Sequence, residues 1–332
     1  MRTLYFLVPG TTRKFYCGGL FAELKTLELA RHFCSAEVVT YRQREPHTLF
    51  LSDLLQQPSY RNHLFVVSWG FDVPKLAARL KGYNVIYHAH SAAYGFRLPA
   101  SIPIIAVSRY TMGYWGQQSP NSLIYYLPNQ ISDGFCDRQL NRDIDVLVQV
   151  RKSSEYLIQD LVPALQNCCQ VHLLDAFVED LSALFNRSRV YLYDSAEYWA
   201  MQGVTEGFGL PPLEALACGC QVFSSVNSAL SDFLDPGVNI QKIAAYSKDY
   251  DVQRILNTLK HPTLPPISQE WLAEYRTEAI LKRMGVVLRE INEFFDRKPY
   301  FEVKIPDLTP HRLMQLSFKQ LLGKVQKKLR HS

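Results

Sequence analysis

The sequence predicts an α/β fold of two parallel-sheet domains, and three observations carry that expectation. Short apolar runs alternate along the chain with stretches of helical periodicity, the order that builds parallel sheets with crossover helices. The 332 residues exceed what one hydrophobic core ordinarily serves, which predicts two domains. A composition of 47% hydrophobic and 20% charged residues belongs to a globular chain, and no apolar run approaches the ~20 residues of a membrane span.

Tyr5 to Val8 reads as the first strand. The opening residues resemble a leader, but they run into Pro9-Gly10 with no small-residue cleavage site, which favours a buried strand. Gly18 and Gly19 then precede helical spacing from Leu20 to Phe33. A strand, a glycine pair and a helix suit a phosphate cradle; a plain turn fits equally, because the pattern is not G-x-G-x-x-G. Leu64 to Ser68 and Asn84 to His90 are buried strands, and His88 and His90, two apart, point to one face. Two same-face histidines could chelate a metal, but no third ligand at matching spacing is visible, so none is predicted. Core histidines held by hydrogen bonds remain the alternative.

Pro103 to Val107 is a further strand, and Ser108 is the N-cap of the next helix. Polar residues Ile131 to Arg142 form the expected linker between a first domain, residues 1–138, and a second, 139–290. Residues 291–332 are expected to cross back and end in a separate helix. Asp143-Ile-Asp145 precedes the strand Val146 to Val150, and such paired carboxylates hold Mg²⁺ or Mn²⁺ in metal-dependent transferases. Arg151-Lys152 stands at that strand's end, where fixed cations suit a phosphate.

The most informative stretch is Glu206-Gly-Phe-Gly-Leu-Pro-Pro-Leu-Glu214, continued by Ala-Leu-Ala-Cys-Gly219. Prolines preset φ for a helix start and glycine ends helices, predicting a short helix over about Pro211 to Cys218. Glu206 then lies in the loop before it and Glu214 one turn inside. Gly207 and Gly209 leave backbone N–H groups open beside the positive end of the helix, a setting for an anion or polar ligand.

This block resembles the E-x7-E signature of retaining GT-B glycosyltransferases of family 4. Ile105 to Tyr110 and Pro128-Asn129-Gln130 are similar to that family's core turns. The resemblance implies two Rossmann-like domains facing each other across a cleft. It implies transfer of a hexose-type sugar from a UDP- or GDP-sugar with retention, for polysaccharide or glycolipid synthesis. The acceptor would be a sugar, lipid or polysaccharide, with no metal and no further cofactor. Glu206 would contact the donor sugar and Glu214 the ribose, with Gly207, Phe208, Gly209 and Leu210 shaping the site between them. His90, rather than His88, would face the donor sugar, and Gly18 and Gly19 would lie over the phosphates or the acceptor. Arg151, with Lys152, would meet the diphosphate. The chain departs from the pattern here: no glycine precedes Arg151, and Tyr156 occupies the place of the family's lysine. A catalytically silent scaffold that binds nucleotide or a partner, and a metal-dependent transferase built on Asp143 and Asp145, are the alternatives.

Tyr198 and Trp199, just before Glu206, are candidates to face a sugar. Ser268 to Phe295 reads as one long amphipathic helix. The net charge of +5 resides at the C-terminus, where Leu308 to Ser332 holds six Lys/Arg and no acid, leaving −1 on the rest of the chain. A nucleic-acid partner is therefore not expected. Within that tail Met314, Phe318, Leu321, Leu322, Val325 and Leu329 share one helical stripe, flanked by Arg312, Lys319, Lys324, Lys327, Lys328 and Arg330. A basic amphipathic helix over 311–330 suits an anionic membrane surface, or docks on the protein. Seven cysteines, odd in number and without C-x-x-C spacing, predict reduced thiols and a cytoplasmic location, peripheral at the inner face of the membrane.

Overall fold

The computed structural model describes residues 1–298 and 308–329, apart from Trp69, Phe177 and 244–246. The first sheet holds β1 (Leu4–Val8), β2 (Ala36–Thr40), β3 (Leu49–Phe50), β4 (Leu64–Val67), β5 (Asn84–Ala89), β6 (Ile104–Ala106) and β7 (Ile124–Tyr126). Their order is β3-β2-β1-β4-β5-β6-β7, and every pairing is parallel. The crossovers include α1 (Gly18–Ala30), α2 (Leu51–Leu54), α3 (Val73–Arg79) and α4 (Arg109–Gln118). β1 reads Leu-Tyr-Phe-Leu-Val and is buried throughout, as a strand covered on both faces must be.

The second sheet orders β8 (Ile144–Gln149), β9 (Val171–Leu174), β10 (Ser188–Tyr193), β11 (Gln221–Ser224) and β12 (Gln241–Lys242) as β12-β11-β10-β8-β9, again all parallel. Around it lie a π-helical turn, Tyr156–Leu161, then α5 (Val162–Gln166), α6 (Leu181–Asn186), α7 (Ala196–Met201), α8 (Leu210–Ala217) and α9 (Lys248–Lys260). The capping serine is where the sequence places it: Ser108 Oγ accepts from Thr111 N, and Ser108 N donates in turn to Thr111 Oγ1.

The C-terminal helices depart from expectation. Ser268 to Phe295 is not one helix but α10 (Gln269–Ala273) and α11 (Thr277–Arg297), separated where Tyr275 turns into the second domain's core. α11 instead lays Ile280, Met284, Val287, Leu288, Ile291 and Phe295 on Leu4, Phe6 and Leu27 of the first domain. α11 thus packs on the first domain along its whole buried stripe, from Ile280 to Phe295. α12 (Pro310–Leu329) follows, with Met314, Phe318, Leu321 and Leu322 exposed. The side chains of Val325, Lys327, Lys328 and Leu329, and all of Arg330, lie outside the described residues. Among the described residues no helix is long and apolar enough to cross a membrane.

Candidate active site

A cavity of about 510 Å³ opens between the two sheets at the carboxyl ends of their strands. The first domain lines it with Gly18, Gly19, Ser68, His90, Ser91 and Tyr94, the second with Gln149, Arg151, Lys152, Tyr198, Trp199 and the loop Glu206–Pro211. Of the sequence-predicted residues, Glu206, His90, Arg151, Lys152, Gly18, Gly19, Gly207, Phe208, Gly209 and Leu210 meet here.

Glu206 is 7% exposed. Its Oε2 accepts from Tyr193 OH at 2.6 Å, Trp199 Nε1 at 2.7 Å and Ser195 Oγ at 3.2 Å. These donors come from β10, the turn after it and α7, three short segments upstream that close around the carboxylate. A buried carboxylate is tolerated when donors of this kind satisfy it. Burial and the neighbouring Glu206 charge raise the Tyr193 phenol far above its ordinary range, so it stays a donor.

The glycines of the loop have separate reasons. Gly209 holds φ 87° at the N-cap of α8, and a Cβ there would strike Leu230. At Gly207 a Cβ would overlap the carbonyl of His90, so the loop lies flush against the end of β5. Two further bonds hold this approach: Ser91 Oγ donates to Thr205 O at 2.5 Å and Ala92 N to Thr205 Oγ1 at 3.2 Å. α8 is a poorer anion site than the glycines alone suggest, because Pro211 and Pro212 in its first turn carry no N–H.

Gly18 and Gly19 do not form a positive-φ turn; they are the first residues of α1, whose N-terminal end opens on the cavity. A Cβ at Gly18 would meet nothing, which leaves ligand-sized room over a helix end with no acid in its first turn. Across the gap stand Arg151 and Lys152, neither paired with an acid among the described residues. Lys152 adopts φ 67° and sets its ammonium 4.5 Å above the Trp199 ring. Tyr156, at the expected lysine position, instead hydrogen-bonds Asp251 at 2.8 Å and does not line the cavity.

Glu214 is half-buried on α8 and is not among the cavity-lining residues. Burial pushes its carboxyl up to about 7 against the opposing pull of Lys25 on α1. Lys25 Nζ also donates to Gln130 O at 3.1 Å, so this cation reaches the domain boundary from the first-domain side.

The third donor missing from the histidine pair is supplied by Glu23 of α1. Its Oε2 lies 2.6 Å from His88 Nδ1 and 2.7 Å from His90 Nε2, with Glu23 wholly buried and His88 nearly so. Nearby histidines hold the Glu23 carboxyl down at about 2, against the effect of burial, while burial and His88 lower the His90 imidazole. These distances are those of hydrogen bonds. Ligands 2.0–2.2 Å from a tetrahedral zinc ion stand roughly 3.3 Å apart. The trio is bonded as a carboxylate between two imidazoles, and its three ligand atoms, within 4.8 Å of one another, are also close enough to hold a metal ion.

Asp143 and Asp145 lie at the opposite end of β8 from the cavity, paired with Arg187 at 2.5 Å and Arg189 at 3.5 Å. That placement turns both carboxylates away from the cavity, where a metal-dependent transferase built on them would need them. Sequence reading missed Glu23, Lys25, Tyr193 as a partner of Glu206, and Thr205. Only Glu23 left a signal: an acid three residues after Leu20 and four before Leu27, on the face a helix buries.

Residues 140–267 match the sequence profile of the family described as Glycosyl transferases group 1. No curated protein matches the chain in sequence. Among solved structures, sucrose-phosphate synthase from Thermosynechococcus elongatus superposes with a TM-score of 0.62 at 14% identity, over 88% of this chain and 99% of that one. HepE of Anabaena, solved with UDP, gives 0.56 at 16% identity over 90% and 100%. AviGT4, a glycosyltransferase of avilamycin A biosynthesis, gives 0.58 at 12% over 88% and 98%. The chain has the GT-B fold of these glycosyltransferases, and its second domain carries the group 1 profile.

Proposed function

We propose that the chain is a glycosyltransferase that moves a hexose from a UDP- or GDP-sugar to a carbohydrate or lipid acceptor with retention of configuration. The observation that carries this reading is the placement of Glu206. A buried carboxylate with one oxygen held by three donors shares its wall of the cavity with Arg151 and Lys152, and the open end of α1 lines the other wall. The carboxylate accepts donor-sugar hydroxyls, and the cations neutralise the diphosphate as the C1–O bond breaks and the electron pair leaves with it. The acceptor hydroxyl oxygen then bonds C1 on the face the leaving group vacated, and its proton passes to the departing diphosphate oxygen. His90 contributes from the first domain, and Glu214, in its ionised form, holds the ribose. Group 1 likeness in residues 140–267 and the UDP in the HepE structure agree with this reading.

A thermal-shift panel of nucleoside diphosphates and their sugars tests it. A ligand at about 100 times its Kd adds about 2.7 kcal/mol of stability, and Arg151→Ala removes that gain. A panel with no shift defeats the reading. Binding without donor hydrolysis or transfer supports a silent nucleotide-binding scaffold, which the displacement of Tyr156 onto Asp251 favours.

We further propose that α12 rests on an anionic membrane surface, with a cytoplasmic protein body. Met314, Phe318 and Leu321 are each at least 63% exposed on one stripe, and Arg312, Lys319 and Lys324 carry charge with no acid beside them. Co-sedimentation with anionic vesicles, absent with zwitterionic ones and lost on truncation after 308, is the expected result. Equal sedimentation of the truncated chain contradicts it.

A further inference from the structure

We propose that Glu23 is a positioning residue that locks the ring orientation and tautomer of His90. The side chain reaches from α1 beneath the carboxyl end of β5, where one oxygen takes a ring N–H from each of two histidines on neighbouring same-face positions. The carboxylate is ionised, and an ionised carboxylate offers only lone pairs. Each imidazole must therefore present a proton to it: His88 at Nδ1 and His90 at Nε2. A neutral imidazole carries one proton, so His90 is left with Nδ1 as an acceptor. His88, 2% exposed, does not line the cavity, whereas His90 does. Its ring packs against His90 at 4.3 Å between centroids and shares the same oxygen, so it braces the pair from below. The second Glu23 oxygen is buried without a partner among the described residues, a desolvation cost the site bears to keep the carboxylate at this depth.

His90 is thereby made a fixed acceptor, able to take a hydrogen bond from a sugar hydroxyl and unable to donate one through Nδ1. This consequence for the substrate rests on the transferase reading; the tautomer lock does not.

Imidazole-nitrogen NMR of the intact protein at neutral pH, with His90 assigned by loss of its signals in His90→Asn, reads the lock without any substrate. The expected result is a single His90 species protonated at Nε2 and bare at Nδ1, and a His88 species protonated at Nδ1. In Glu23→Gln, His90 becomes a mixture of tautomers, and donor turnover falls roughly 10-fold or more with KM little changed, as happens when the carboxylate behind a metal-bound histidine is removed. A wild-type His90 protonated at Nδ1, a doubly protonated His90, or resonances moved to coordinated positions by Zn²⁺ would overturn the proposal, and none of these needs Glu23→Gln to fold. If the wild-type spectrum is as expected but no nucleotide sugar is turned over, the lock stands and the transferase reading falls.

Discussion

At Glu206 the number of donors decides the chemistry. Tyr193, Trp199 and Ser195 all bond Oε2, and among the described residues no donor reaches Oε1, so one oxygen anchors and the other serves a ligand. Trp199→Phe keeps the ring and the shelf under Lys152 but deletes one bond to the carboxylate. Bonds to charged groups are worth about 1.5–3 kcal/mol, so donor-sugar binding measured by titration calorimetry weakens by roughly 10- to 100-fold. Unchanged affinity would show that Trp199 only fills space. Glu214 makes a prediction in pH. Its carboxyl is raised to about 7 from 4.5, so the folded chain binds a proton there that the unfolded chain has lost. Stability from this group is full below about 4.5 and fades as pH rises through about 7. Ribose hydroxyls are best accepted by the ionised form, so UDP affinity moves the other way. It strengthens by about tenfold between roughly pH 6 and pH 8, and Glu214→Gln flattens the profile. A flat wild-type profile would place Glu214 outside nucleotide binding.

At the scale of elements, the loop 205–209 and the end of β5 act together. Gly207 lies against the His90 carbonyl, Ser91 and Ala92 bond Thr205, and Asp232 of the second domain caps α4 of the first through Arg109 N at 2.5 Å. The sugar-facing carboxylate is thus set by a contact between domains. Gly207→Ala forces that contact open, so transfer falls by at least about tenfold, while isolated UDP binding changes little because the cations lie elsewhere. Small-angle scattering of the variant would show a wider particle; transfer equal to wild type would contradict the argument. This scale also explains what was legible. The Glu206–Gly219 block could be read because its helix start, its prolines and its Gly219 stop are local signals. Glu23 lies 65 residues from His88, and no local rule brings them together. The same limit applies to α11, whose apolar stripe declares a buried face without saying which domain buries it. Tyr193 looked like sheet core, and it is, with its hydroxyl at the edge of the cavity.

For the whole molecule, two parallel sheets turn their carboxyl ends toward one cavity, and α11 ties the halves together. α11 buries its stripe on the first domain although it follows the second, so the cleft is spanned by chain at its back. Charge follows the same plan. The body is nearly neutral, cations unpaired by acids among the described residues stand inside the cavity, and the positive charge is gathered in the C-terminal segment 308–332. The fold was legible because alternating apolar and helical runs survive any loop variation. The roles of individual side chains were legible only where sequence neighbours are also spatial neighbours. The proposed chemistry requires a nucleotide sugar held with its hexose on Glu206. The direct measurement is turnover of whichever nucleotide sugar the stability panel selects, by wild type and by Glu206→Gln at equal folded concentration. The account predicts a loss of roughly 100-fold or more in the variant with nucleoside diphosphate affinity retained. Equal turnover by both proteins would contradict it.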